Sequence, residues 1–146
     1  MQELFSKCKF FRVLSLSGCI FPKELPDTIG NLKHLRYLDL SGNHIEKLPD
    51  SVCSLYNLQI LKLRNCQLLI ELPLNFNKLT KLRYLDISGT KVRKMPRDMG
   101  KLKDLQVLSS FYVNKGGDSN IQQLGELNLH GTLEILEIQN INVLNL

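Results

Sequence analysis

Apolar residues recur along this chain in a fixed phrase. Phe11, Leu14 and Leu16, then Leu35, Leu38 and Leu40, then Leu58, Leu61 and Leu63, then Leu82, Leu85 and Ile87 each hold the first, fourth and sixth places of a short segment. A fifth copy opens with Leu105 and Leu108. The middle members, Leu14, Leu38, Leu61, Leu85 and Leu108, are separated by 24, 23, 24 and 23 residues. Alternation of apolar and polar places within each phrase predicts a half-buried strand. A bend follows, holding Cys19, Asn43, Cys66 or Thr90, and then a proline, at Pro26, Pro49, Pro73 and Pro96. Proline lacks an N–H, which is tolerated at the start of a helical turn. Apolar residues after it, such as Ile29 and Leu32, predict a return segment that closes the core from the other side.

A period of 20–29 residues with this phrase is the signature of leucine-rich repeats. One repeat cannot bury its apolar face alone, so copies must stack. The predicted fold class is α/β, a leucine-rich-repeat solenoid with a parallel concave β-sheet and about five to six repeats. Residues 1–10 read as an N-terminal flank or partial repeat, and 11–146 as the repeat domain. Within it, 109–128 reads as an irregular loop around Lys115, Gly116, Gly117 and Asp118, and the last repeat is incomplete. Its phase is open: Leu133, Leu136 and Ile138 fit the spacing, and so does a start on Leu133 and Ile135.

Side chains alternate along a strand, so the polar places face solvent on the concave side. They carry Arg12, Arg36 and Arg83, then Tyr37 and Tyr84, then Asp39, Lys62 and Asp86, and Arg64 one place beyond the strand. Tyrosine and arginine side by side are the types enriched at binding hot spots. We therefore take Arg12, Arg36, Tyr37, Lys62, Arg64, Arg83 and Tyr84 as a candidate protein-binding surface. A second candidate is the basic run of the fourth repeat, Lys91, Arg93, Lys94 and Arg97, suited to an acidic partner. Asp39 and Asp86 are the one carboxylate pair whose spacing comes near that of an acid–base pair. Lys62 should stand between them, which makes a cross-strand charge ladder the simpler reading.

The 146 residues suffice for one domain, and 43% apolar with 23% charged content is ordinary for a globular chain. No run approaches the roughly 18 apolar residues of a membrane span, so no membrane span is expected. The net charge of +5 is a mild excess. The basic residues are not interleaved with aromatics, which argues against nucleic acid as partner. Cys8, Cys19, Cys53 and Cys66 form no C-x-x-C, and Cys19 and Cys66 stand two repeats apart, about 10 Å by strand spacing. A disulfide needs Cα atoms within about 7 Å, so that pair stays reduced. Free thiols and the lack of any N-x-[ST] sequon point to a cytoplasmic chain. The three histidines are scattered over different repeats, and no catalytic, cofactor-binding or metal-ligating constellation appears, so the chain is not expected to be an enzyme or to need a cofactor.

The phrases F-R-V-L-S-L-S-G, L-P-D-S-V-C-S-L-Y-N-L-Q, L-R-Y-L-D-I-S-G-T and M-G-K-L-K-D-L-Q-V-L-S-S-F resemble the leucine-rich part of plant intracellular immune receptors of the coiled-coil, nucleotide-binding, leucine-rich-repeat class, grouped with Shoc-2-like repeats. The resemblance covers Lys9 to about Ile141, including the irregular I-Q-Q-L-G-E-L-N-L-H-G-T-L-E-I. It implies a protein-interaction module in plant defence. Its partners would be the nucleotide-binding domain of the same receptor and a pathogen effector or host guardee, with effector recognition and restraint of the switch as its roles. The chain has no G-x-x-x-x-G-K-[ST] phosphate loop and is expected to be a fragment or truncated product. The alternative is a free-standing signalling scaffold of the Ras-associated repeat type.

Overall fold

The computed structural model describes residues 1–19, 23–113 and 121–137. The middle of each apolar phrase is a strand: β1 (Val13–Ser15), β2 (Tyr37–Asp39), β3 (Ile60–Lys62), β4 (Tyr84–Asp86) and β5 (Val107–Leu108). They form one parallel sheet in sequence order. The register puts Leu14 beside Leu38, Leu38 beside Leu61, Leu61 beside Leu85 and Leu85 beside Leu108. The leucine-rich-repeat solenoid expected from the period is therefore what the chain forms. Leu35, Leu38, Leu40, Leu58, Leu61, Leu63, Leu82 and Leu85 are fully buried. The first repeat is looser: Phe11, in the place of the first leucine, is exposed, and Phe10, also exposed, stacks on His34 with ring centroids 5.4 Å apart.

Return segments are short 3-10 turns at Asp27–Asn31, Asp50–Ser54, Phe76–Lys78 and Met99–Lys101. Pro26 and Pro49 precede the first two in extended conformation, and the carbonyls of Pro26, Pro49 and Pro73 accept the N–H of Ile29, Val52 and Phe76. Successive turns pack closely. A Cβ on Gly30 would stand 2.8 Å from the Cβ of Ser51, so this contact requires glycine. After each strand the chain turns through a left-handed residue: Gly18, Gly42, Asn65 and Gly89 have φ between 58° and 70°. Asn65 fills the place of glycine because asparagine tolerates that region better than other L-residues.

In the bend column, side chains satisfy backbone carbonyls in three of the four repeats. Asn43, fully buried, donates from Nδ2 to the Leu40 carbonyl at 2.7 Å and to the Leu16 carbonyl of the preceding repeat at 2.8 Å. Cys66 points its Sγ at the Leu40 carbonyl at 3.1 Å, and Thr90 Oγ1 donates to the Ile87 carbonyl at 2.7 Å. Cys19 stands in the same column but is exposed. A second, minor parallel ladder joins Glu24, Lys47 and Glu71 on the return side.

The stretch expected as irregular, 109–128, is partly regular. Ser110–Tyr112 is a strand, β6, paired in parallel with β7 (Glu134–Leu136), and Gln122–Gly125 is one helical turn, which as the second helix is α2. The physical reason is the change in phase after Leu108. Ser110 takes the sixth place, and Phe111, Tyr112 and Val113 are all buried, so the strand continues with a new inward face. Residues 114–120, with Lys115 to Asp118, lie outside the described residues. The open phase of the last repeat is resolved in part: Leu133 and Leu136 pack on the core and Ile135 is exposed, whereas Ile138 lies outside the described residues. The flank holds α1 (Gln2–Lys7), whose Phe5 is buried at the side of the Asp27–Asn31 turn.

Removing the Asn43 amide leaves the Leu40 and Leu16 carbonyls with only weaker donors, the Cys66 Sγ at 3.1 Å and the Cys19 N–H at 3.4 Å, and a buried polar group that loses its good hydrogen bond costs about 1–3 kcal/mol. Asn43→Ala is expected to lower unfolding free energy by about 3 kcal/mol in urea melts, and Cys19→Ala to change it by less than about 0.5 kcal/mol.

Candidate functional site

The central strands present their polar places as two tyrosines flanking a lysine. Tyr37, Ile60 and Tyr84 share one rung, and Asp39, Lys62 and Asp86 the next. Lys62 leans over both rings, its Nζ 5.4 Å from the Tyr37 centroid and 5.9 Å from that of Tyr84. A cation over an aromatic face is worth about 0.5–1 kcal/mol at exposed sites. The Tyr37 side chain beside it, and to a lesser degree Asp39, hold the Lys62 ammonium above the ordinary lysine range.

The ladder of ion pairs expected across Asp39, Lys62 and Asp86 does not form, although the register aligns the three residues. Each carboxylate turns to its own bend instead. Asp39 Oδ1 accepts the N–H of Ser41 at 2.9 Å, and Asp86 Oδ1 accepts the N–H of Ser88 at 3.0 Å and its hydroxyl. Tyr37 donates its hydroxyl to Asp39 Oδ2 at 3.3 Å. An aspartate two residues before a bend satisfies a backbone donor locally. Lys62 is left to the rings. Both carboxylates are thus committed to their own bends.

The three arginines stand at the strand-entry edge of the sheet. Arg36 N–H donates to the Arg12 carbonyl, Gln59 to that of Arg36 and Arg83 to that of Gln59, each at 2.8 Å. Neighbouring strands lie about 4.8 Å apart, which puts Arg12 next to Arg36 and Arg83 about 10 Å beyond. Arg64 does not join them. It follows β3 at the strand-exit edge, where its carbonyl accepts Gly42 N–H at 2.8 Å. Two residues of the entry edge were not singled out from sequence. Lys33 donates to the Ser54 carbonyl at 3.3 Å, and Lys81 to Asn57 Oδ1 at 2.9 Å. Their signal was present, since they stand two and one places before the first leucine of a repeat.

The basic run of the fourth repeat is divided. Arg93 bonds the Thr90 and Val92 carbonyls and the Tyr112 hydroxyl at 2.6 Å, with its guanidinium 4.9 Å from the Tyr112 ring. It straps β6 to the bend and is not free for a partner. Lys91, Lys94 and Arg97 are exposed. Nearby, Lys101 pairs with Asp98 at 2.7 Å, which with Asn77 holds that carboxyl below its ordinary range, and Lys103 pairs with Glu126 at 3.1 Å.

On the return side a groove of about 1110 Å³ runs past Leu25, Leu48 and Leu72, walled by Glu3 of α1 and by Glu24 and Glu71. It includes neither Asp39 nor Asp86. Among the described residues no group of three His, Cys, Asp or Glu is placed to hold a metal ion, and no helix is long and apolar enough to cross a membrane. All four cysteines are free thiols.

A stacked solenoid that presents an open, cation-bearing sheet defines an interaction-type leucine-rich-repeat module. The chain belongs to the leucine-rich repeat region family, which it matches over residues 1–143. It is similar to the RPP13-like disease resistance protein 1 of Arabidopsis thaliana, 60% identical over 141 residues, covering 96% of this chain and 13% of that protein. A second Arabidopsis thaliana disease resistance protein is 51% identical over 142 residues, covering 97% of this chain and 10% of its own length. The chain therefore spans about an eighth or less of these relatives. Among solved structures it resembles the plant peptide hormone receptor RGFR1 in complex with RGF2, with TM-score 0.73 and 26% identity over 92% of this chain and 22% of that one. It also resembles the leucine-rich repeat domain of the type III effector XopL, with TM-score 0.57 and 27% identity over 84% of this chain and 43% of that one.

Burial raises the Cys53 thiol from 9.0 to about 11 and moves Cys66 in the same direction. A raised thiol is protonated and unreactive at neutral pH. Iodoacetamide at pH 8 is expected to label Cys8 and Cys19 in the folded protein, and Cys53 and Cys66 only after denaturant. The same shift contributes stability that is present below pH 9.0 and is lost as pH rises toward about 11, because the unfolded thiol ionises first. Mass mapping of the labelled peptides checks the first outcome.

Proposed function

We propose that the chain is a protein-interaction module of a plant intracellular immune receptor, acting in the cytoplasm and without catalytic activity of its own. Residues 11–146 form the repeat domain in this reading and 1–10 its flank. Its concave face, with Arg12, Arg36, Tyr37, Lys62, Arg64, Arg83 and Tyr84, contacts a pathogen effector or a host guardee. Lys91, Lys94 and Arg97 dock an acidic face of the nucleotide-binding domain and so restrain the switch, with Arg93 holding the bend in place. The observation that carries the reading is the half-buried Tyr37–Lys62–Tyr84 cluster in the middle of an open sheet. Aromatic anchors of this kind dominate binding energy in protein interfaces. Identity of 60% to a disease resistance protein favours the receptor over a free-standing Ras-associated scaffold.

Two measurements test it. Co-precipitation with the nucleotide-binding domain of the cognate receptor is expected to fall severalfold when Lys91, Lys94 and Arg97 are replaced by Glu, and equal capture overturns the docking role. A full-length receptor carrying Tyr37→Ala and Tyr84→Ala is expected to lose its elicitor-triggered response while accumulating normally, and an unchanged response overturns the contact role of the concave face.

A further inference from the structure

The cations of this protein are unequally matched. Lys7, Lys23, Lys47, Lys101 and Lys103 each pair with a carboxylate, on Glu3, Glu46, Glu71, Asp98 and Glu126. Those five lie outside the open face of the sheet. The cations of the strand-entry edge behave differently. Among the described residues, Arg12, Lys33, Arg36, Lys62, Lys81 and Arg83 form no ion pair with a carboxylate. Lys33 and Lys81 rest on neutral oxygens and Lys62 on two rings. Asp39 and Asp86, one rung away, are turned to Ser41 and Ser88, and Asp104, in the Lys81 column of the next repeat, pairs with none of these cations. Six cations without a carboxylate partner thus line one edge.

We propose that this edge, Arg12, Lys33, Arg36, Lys81 and Arg83 with Lys62 at its inner side, is a binding site for an acidic, extended polypeptide segment laid across the strands. The proposal rests on the reading of the concave face as a contact surface and names the chemistry of its partner. The backbones of Arg12 and Arg83 lie three strand intervals apart, about 14 Å, which about four residues of extended chain cover. Arginine pairs with a carboxylate through two parallel hydrogen bonds, so the three arginines select planar carboxylates over a diffuse negative field. A nucleic acid fits less well. Base stacking needs a free aromatic face, and Lys62 already covers both tyrosine rings, while Asp39 and Asp86 lie one rung away.

Fluorescence anisotropy with labelled peptides tests the site. The probes are an alternating Glu–Ser peptide, its Gln–Ser and Lys–Ser counterparts, and an oligothymidine of equal length. Expected are binding of the Glu–Ser peptide, at least about tenfold weaker binding of the other two peptides and of the oligonucleotide, and weakening as salt shortens the screening length from about 10 Å to 3 Å. Arg36→Gln with Arg83→Gln should weaken Glu–Ser binding about tenfold and Lys62→Gln about fivefold, on the scale of exposed charge pairs. Arg36→Lys with Arg83→Lys should keep part of it. Lys91→Glu with Lys94→Glu should leave it unchanged. All substitutions are at solvent-facing places, and circular dichroism melts confirm folding. Equal affinity for the Gln–Ser peptide, equal or tighter binding of the oligonucleotide, or Glu–Ser binding that survives loss of both arginines overturns the proposal. The outcomes separate the two readings. Salt-sensitive, arginine-dependent peptide binding beside an unaffected receptor carrying Tyr37→Ala and Tyr84→Ala overturns the contact role alone. Loss of response in that receptor beside charge-independent peptide binding overturns the acidic partner alone.

Discussion

Parallel strands about 4.8 Å apart leave no room for an unsatisfied backbone. The bends after β2, β3 and β4 turn carbonyls inward, and a buried side chain points a donor at them. Asn43 does so for two repeats at once, through the Leu40 and Leu16 carbonyls. Cys66 and Thr90 do it more sparingly, each reaching one carbonyl. With the bend closed, the register of the leucines follows, and with the register follow the rows in which all the polar places stand. The position of Tyr37 beside Tyr84, one strand between them, is therefore a consequence of bend chemistry more than of any direct attraction between the two.

The same constraint explains why the aspartates failed to form a ladder with Lys62. A carboxylate exposed on the sheet gains little from a lysine across the strand, since exposed pairs contribute about 0–1 kcal/mol. A backbone N–H at the bend is fixed in place and close by, so accepting it costs less ordering. Asp39 and Asp86 take the local donor, and Asp86 becomes almost buried in the process. Lys62 then settles on the tyrosines.

Most of the fold was legible because one phrase recurs five times, and repetition averages out local ambiguity. The central leucine row stands where the period puts it, as do the proline starts at Pro26, Pro49 and Pro73, whereas the fourth turn begins behind a left-handed Asp98, two residues past Pro96. Legibility ended where the phrase did. After Leu108 the inward residues are Ser110, Phe111, Tyr112 and Val113. Four buried places in succession have no period to read, so β6 and its pairing with β7 could not be seen. On the surface, the sequence placed Arg12, Arg36 and Arg83 in one row but could not show which cations are spent. Arg93 looked like its neighbours and is held by Tyr112, nineteen residues later in the chain. Lys33 and Lys81 stand before the phrase begins, so its rows do not place them.

That distinction between spent and unspent cations decides which of them can serve a partner. Arg93 stacked on Tyr112 and hydrogen-bonded to its hydroxyl must break those contacts first. Lys62 keeps its ammonium on the sheet face, held beside its two rings. Holding a long side chain still costs up to about 2 kcal/mol of rotamer entropy, and here the tyrosines have absorbed part of that cost before binding. A partner carboxylate meeting Lys62 gains the electrostatic term at a lower entropic cost than at a free surface lysine. The arginines at the edge are exposed and form no ion pair among the described residues. A cation held at the centre with exposed cations beside it would suit a ligand of defined charge, if this face is the contact surface proposed above.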